Sequence, residues 1–190
     1  MFKESITNDE LTEMPLKSFE GEIIVVDSKR KIKRAVKELS RHRVIGFDTE
    51  TKPSFKKGVN NKVALLQLST RNRAYLFRIN RFGLPAEIVD LLTSKDILKP
   101  GVAIRDDIKG LQEYTAFEPA GFIELQDEAK EMGIQNFSLK KLTAIACGFR
   151  ISKGQQLTNW EAPELTEAQQ LYAATDAWAS LVIFEHFANN

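Results

Sequence analysis

The sequence predicts an α/β fold built on a mixed sheet of about five strands flanked by helices. Three observations lead there. Short apolar runs rich in β-forming residues recur at 23–26, 44–49, 63–69 and 74–78. The last three follow one another without an intervening helical pattern, so their pairing should be antiparallel. From about residue 85 onward, strand-like and helix-like segments alternate, the pattern of strands carrying packed helices. At 190 residues and 43% hydrophobic, the chain is of a size for one domain that buries roughly 70% of its unfolded surface without disulfides or a structural metal.

The elements follow in order. Residues 1–21 are polar with little periodicity and read as a flexible N-terminal segment, leaving 22–190 as the single domain. Ile23 to Val26 forms a strand. Asp27 or Ser28 caps a helix reaching about Ser40, with Ile32, Val36 and Leu39 on one face. Val44 to Thr49 and Val63 to Ser69 are strands, and the turn-like Thr70 to Arg73 leads into a third at Ala74 to Arg78. A helix at about Pro85 to Thr93, a strand at Ile97 to Val102, a helix at about Asp106 to Tyr114 and a short strand at Phe122 to Leu125 come next. Helices at about Gln126 to Met132, Ser138 to Cys147 and Thr166 to Ala188 complete the chain. The loop from Gly148 to Leu165 is long for a compact domain, which draws attention to Thr158 to Glu161.

Composition excludes several classes. No apolar stretch approaches the roughly 20 residues needed to span a bilayer, and the acidic, polar start is unlike a signal peptide, so a soluble, intracellular (cytoplasmic) protein with no membrane partner is expected. The lone cysteine, Cys147, lies in an apolar helical context; it makes no internal disulfide or zinc site and reads as core packing. Net charge is only +1, yet residues 41–81 hold ten Lys or Arg against two acids, Asp48 and Glu50. That surround is either a set of solvated faces or an attraction for a polyanion.

Those two acids begin the functional reading. Two residues apart at a strand end, Asp48 and Glu50 project from one face and repel, so a site that keeps both ionised calls for a divalent cation, with oxygen ligands suiting Mg²⁺ or Mn²⁺. Tyr172 and Asp176, four apart, share a face of a helix that is apolar on most of its circumference, and a buried Asp there needs a partner. Asp106 and Asp107 open the helix that follows a strand: one acid suffices to cap it, and strand ends are where open α/β sheets place ligands.

Phe47-Asp48-Thr49-Glu50, the segment ending at Asp107, and Tyr172-x-x-x-Asp176 together resemble the three ordered motifs of the DEDD superfamily of 3′-5′ exonucleases, in its tyrosine-containing, DnaQ-like subgroup. Within it the chain is most similar to the exonuclease domain of the Werner syndrome helicase and to ribonuclease D. Val63 to Ser69, Ser138-Leu139, Leu157 to Trp160 and Tyr172 to Ala177 also match, so the resemblance covers about residues 23–188. It implies a ribonuclease H-like fold with a five-stranded mixed sheet. It also implies that Asp48, Glu50, Asp107 and Asp176 hold two divalent cations, Mg²⁺ or Mn²⁺, that Tyr172 positions the attacking water, and that Asp106 is only a neighbour. The implied reaction is hydrolysis of the terminal phosphodiester at a nucleic acid 3′ end, DNA or RNA, releasing nucleoside 5′-monophosphates. Homo-oligomers and monomers both occur in the family, and DNA-repair or RNA-processing partners are compatible with it. Where some relatives carry a polar Asn or His, this chain has Ala103 and Val102.

Candidate substrate contacts are Thr49 between the two acids, Phe55 on the following loop, Lys56, Lys57 and Lys62 for phosphates, and Trp160. Phe55 could instead cover the core and Trp160 pack beneath the Tyr172 helix. Two rival functions remain from the residues: a non-catalytic nucleic-acid-binding module, and a haloacid dehalogenase-type phosphatase with Asp48 as nucleophile. The second leaves Tyr172 and Asp176 without a task.

Overall fold

The computed structural model describes residues 2–54 and 61–189. Its sheet is mixed, as the patterning predicts. Strands β1 (Glu22–Val26), β2 (Gly46–Thr51), β3 (Val63–Ser69) and β4 (Arg73–Phe77) form one ladder in the order β1-β4-β3-β2, with β1 parallel to β4 and the other two pairings antiparallel. Strands β5 (Lys99–Gly101) and β6 (Phe122–Glu124) pair in parallel. A parallel bridge from Val44 to Leu98 joins the two ladders, Ile45 N–H donating to the Leu98 carbonyl at 2.9 Å. The sheet therefore runs to six strands among the described residues.

Alternation along the strands sorts the two faces. Phe47, Leu66, Leu68, Tyr75 and Phe77 enter a core with Ile32, Ala35 and Leu39 of α2 (Lys29–Leu39), Ile79 of α3 (Ile79–Phe82) and Ile88, Leu91 and Leu92 of α4 (Ala86–Thr93). On the other face, Leu65 and Leu76 pack with Trp160, Tyr172 and Ala173. That face is covered by α8 (Glu167–Ala188), which Thr166 and Gln169 start with a reciprocal capping box and which packs on β1 to β5. Helices α5 (Ile104–Gln112), α6 (Leu125–Glu131) and α7 (Leu139–Cys147) complete the layers, α7 and α6 packing on α8. Among the described residues no helix is long and apolar enough to cross a membrane.

The segment before β1 departs from the sequence expectation of flexibility. Thr7 and Glu10 make a capping box that starts α1 (Asn8–Glu13), whose Leu11 is buried with Ile6 against Ala144 of α7. Phe2 meets Phe187 edge-on, centroids 5.3 Å apart, and Phe19 lies buried with its N–H donating to the Thr175 hydroxyl at 3.0 Å. A few apolar residues spaced through a polar stretch suffice to pin it, because the surfaces they cover belong to helices far along the chain.

Candidate active site

Strand β2 carries the first two acids. Asp48 pairs in register with Gln67 and Glu50 with Leu65, so both project from the face that α8 covers, and the ladder register shifts between Glu50 and Thr51. The helix comes very close to this strand. A Cβ added at Gly46 would overlap the Ala177 carbonyl oxygen, and Ala173, Ala174 and Ala177 are fully buried, so small residues let α8 settle onto β2. Asp176, next to Ala177, is thereby held against the strand's carboxylates. Carboxylate oxygens of Asp48, Glu50 and Asp176 all lie within 4.8 Å of one another.

The local chemistry is that of crowded, desolvated acids. Asp176 and Glu50 are buried, at 6% and 8% exposure, while Asp48 is partly open to the cleft. Burial, and then the Asp176 and Asp107 charges, push Glu50 up to about 9. Burial and the three neighbouring carboxylates hold Asp48 well above the usual carboxylate range. Burial raises Asp176 to about 7, opposed by a hydrogen bond from the Tyr172 phenol and by the Lys153 charge. Tyr172 itself is pushed up by burial and by the Asp176 and Glu50 charges, so it stays a neutral donor.

Asp107 stands beside this trio. Its Oδ1 accepts a short hydrogen bond from the Thr49 hydroxyl, and burial raises its carboxyl to about 6. Asp106, by contrast, is exposed and pairs with Lys109 at 3.0 Å. Neither caps the helix: α5 begins at Ile104, and its first amides are satisfied from β6, where Glu124 accepts from Ala103 N–H at 2.8 Å and Ile104 N–H at 2.9 Å. Ala103 takes the left-handed conformation, φ 59°, to make this turn.

A cleft of about 220 Å³ opens over these groups, lined by Asp48, Thr49, Glu50, Tyr172 and Asp176 and also by a second set, Ser138, Lys140, Ser152, Lys153 and Gln156. Of the second set the sequence pointed only to Ser138, as part of the family resemblance; the set comes from the start of α7 and the long loop after it. Lys153 could have been noticed as a cation in that loop.

Two candidate substrate contacts are not among the residues that line the cleft. Trp160 is fully buried, its ring 6.0 Å from that of Tyr172, in the cluster with Leu65, Leu76 and Leu165, which is the packing alternative stated for it from the sequence. Lys62 lies over the Tyr114 ring at 5.2 Å and does not line the cleft. Phe55, Lys56 and Lys57 lie outside the described residues. Cys147 is half-buried with its thiol pushed up to about 12, chiefly by burial, and plays no part in the cleft.

A divalent cation fits the donors present. They are all carboxylate oxygens, the choice of hard cations, and Asp176 Oδ1 is buried without a hydrogen-bond partner among the described residues, a costly state that a cation would relieve.

Comparison with known proteins agrees with this geometry. The mouse bifunctional 3′-5′ exonuclease/ATP-dependent helicase WRN is 36% identical over 157 residues, covering 80% of this chain and 11% of that protein. The chain thus spans a minor part of that relative. The crystal structure of the Aedes aegypti Nibbler EXO domain superposes with a TM-score of 0.82 at 25% identity, covering 91% of both chains. Trypanosoma brucei RNase D, crystallised with RNA U12, shares the fold at a TM-score of 0.79 and 19% identity, over 90% of this chain and 64% of that one. Residues 23–190 match the 3′-5′ exonuclease family profile across both halves of the acidic site, and the chain belongs to that family.

Proposed function

We propose that residues 22–190 form a metal-dependent 3′-5′ exonuclease domain that hydrolyses the terminal phosphodiester of nucleic acid and releases nucleoside 5′-monophosphates. The observation that carries this is the meeting of Asp48, Glu50 and Asp176 within 4.8 Å in an open cleft, a charge cluster in which, among the described residues, none of the three acids is in an ion pair. Asp48, Glu50 and Asp176, with Asp107 completing the set beside Thr49, would hold two Mg²⁺ or Mn²⁺ ions. Such ions, when bound, supply a nucleophile at neutral pH and stabilise charge on the attacking and leaving oxygens.

The chain's own groups do the rest. Tyr172 is too weakly acidic in this setting to act as a base, so its phenol orients the attacking water by hydrogen bonding. Trp160 and the capping box of α8 fix the ring and the helix that carry it. Thr49 holds the Asp107 carboxyl in place. Across the cleft, Lys153 and Lys140 face the acids and meet the phosphate of the incoming strand. The cleft's mouth admits a strand end, and 3′-5′ polarity follows from the family. DNA and RNA are both within this reading.

The test is digestion of a 5′-labelled oligonucleotide with Mg²⁺, with Mn²⁺ and with chelator. Shortening in single-nucleotide steps that needs the cation is expected, and Asp48→Ala should abolish it while leaving the thermal transition cooperative. Undiminished shortening by Asp48→Ala would remove the assignment.

A further inference from the structure

One strongly charged surface has no part in the cleft. Helix α2 carries Lys29, Arg30, Lys31, Lys33, Arg34 and Lys37, six exposed cations, against one acid, Glu38 in its last turn. The chain has 27 Lys and Arg against 26 Asp and Glu, so outside α2 there remain 21 cations against 25 acids. Together with residues 41–81, this helix is one of two places where positive charge is gathered.

The arrangement works against the helix itself. Lys29, Arg30 and Lys31 occupy the first turn, where the helix dipole disfavours cations, and no acid lies in that turn. Ser28, at the N-cap, makes no side-chain capping bond. Lys29, Lys33 and Lys37 fall on one i, i+4 row and Arg30 and Arg34 on another, so like charges repeat about every 6 Å along the helix. Among the described residues only Lys31 is paired, with Asp27 at 3.1 Å; Lys29, Arg30, Lys33, Arg34 and Lys37 are in no ion pair. Glu87 lies at the edge of the same hollow as Lys29, Arg30 and Lys33, and the helix's own Glu38 is taken up by Arg41 and Arg73.

The chemistry of this face narrows the partner. The apolar side of α2, Ile32, Ala35 and Leu39, is buried in the core, so no hydrophobic surface remains to anchor a membrane or to form the centre of a protein interface. Evenly spaced, unpaired cations without apolar neighbours match a phosphate backbone. The face also lies on the side of the sheet opposite Asp48 and Glu50, so a strand end in the cleft does not reach it.

We infer that the outer face of α2 is an exosite for the phosphate backbone of a nucleic acid segment beyond the 3′ end held in the cleft. This rests on the exonuclease reading for its context, though not for its charge argument. The exosite would tether long strands and leave the chemistry on short ones unchanged.

The test uses the full chain and a Lys29→Glu, Arg30→Glu, Lys33→Glu, Lys37→Glu variant, with the corresponding four Gln substitutions as a second variant. Affinity is measured over a salt series for a 3′-blocked single strand of about 40 nucleotides and for a duplex of the same length. For the single strand, the Glu variant should bind at least tenfold more weakly, with a salt slope shallower by about 3 in log–log units. Hydrolysis of a substrate of about three nucleotides should stay within about twofold of wild type, since only the cleft engages it. Without nucleic acid, the Gln variant should melt no lower than wild type, because its like-charge rows are reduced. Loss confined to the single strand or to the duplex supports the exosite and identifies the backbone it takes.

Unchanged affinity and salt slope for both long ligands would overturn the inference. Equal loss on the short substrate would also overturn it, by showing that α2 serves the cleft. If wild type hydrolyses nothing yet binds long strands through α2, the exonuclease proposal fails and the exosite stands.

Discussion

Glu50→Gln should make the metal-free protein more stable, although it removes a group placed at the centre of the site. Glu50 is 8% exposed and its carboxyl lies near 9 in the fold against 4.5 when unperturbed. A raised acid contributes its full stability below the lower value, and that contribution is lost as pH climbs toward the upper one, because the folded state retains a proton that the unfolded state releases. At about pH 8 the loss spans roughly 3.5 pH units, a ceiling near 5 kcal/mol; relaxation and water entry bring a realistic figure to about 2–3 kcal/mol. Gln keeps the shape and carries no charge, so it escapes this loss. At roughly 2–4 °C per kcal/mol for a chain of this size, the variant should melt about 4–12 °C above wild type in chelator at pH 8. At about pH 5 the gap should shrink to within roughly 2 °C. Saturating Mg²⁺ should narrow or reverse the pH 8 gap, since a cation at a hundred times its Kd stabilises the wild type by about 2.7 kcal/mol. Differential scanning fluorimetry at the two pH values, with and without Mg²⁺, reads all of this. A variant that melts below wild type at pH 8, or by the same margin at both pH values, would refute the crowded-carboxylate account.

Three further outcomes follow from the same geometry. Tyr172→Phe keeps the packing against Trp160 and removes only the hydroxyl, so kcat should fall about 10²–10⁴-fold while cation-induced stabilisation survives; calorimetric titration with Mn²⁺ checks the second part. Trp160→Ala should cost about 3–5 kcal/mol by leaving a cavity behind the tyrosine, seen as a lower denaturant midpoint, with KM for oligonucleotide little changed in the folded fraction. Glu124→Gln keeps one of the two oxygens that accept from the Ala103 and Ile104 amides and removes a charge near Asp107, so the α5 start should loosen and the Asp107 carboxyl should titrate lower, which carboxyl-labelled NMR would register.

The legible parts of the site are those fixed by local period. Asp48 and Glu50 had to share a face because strands repeat every two residues, and Tyr172 and Asp176 because helices repeat near four. Helix α8 spans Glu167–Ala188 against the expected Thr166 to Ala188, since its capping box and long apolar body are both written locally. What stayed hidden depends on distant chain. Nothing near Asp106 and Asp107 reveals that Glu124 caps their helix and so frees both acids from that duty. Trp160 looked available because its neighbours are polar; its burial comes from Leu65 and Leu76 on the sheet. The packing of Ile6, Leu11 and Phe19 was invisible for the same reason, and Lys153 gained meaning only when its loop folded over the acids.

Gly46 gives the site an unusual kind of ruler. Because β2 and α8 meet there with no room for a side chain, the separation between the strand acids and Asp176 is set by one peptide group resting on another. Rotamer changes elsewhere in the core have little leverage on such a contact, since no χ angle lies along the path. The acids should then keep their mutual spacing through considerable repacking of the surrounding apolar residues, while any substitution at position 46 would pry the two halves apart at once.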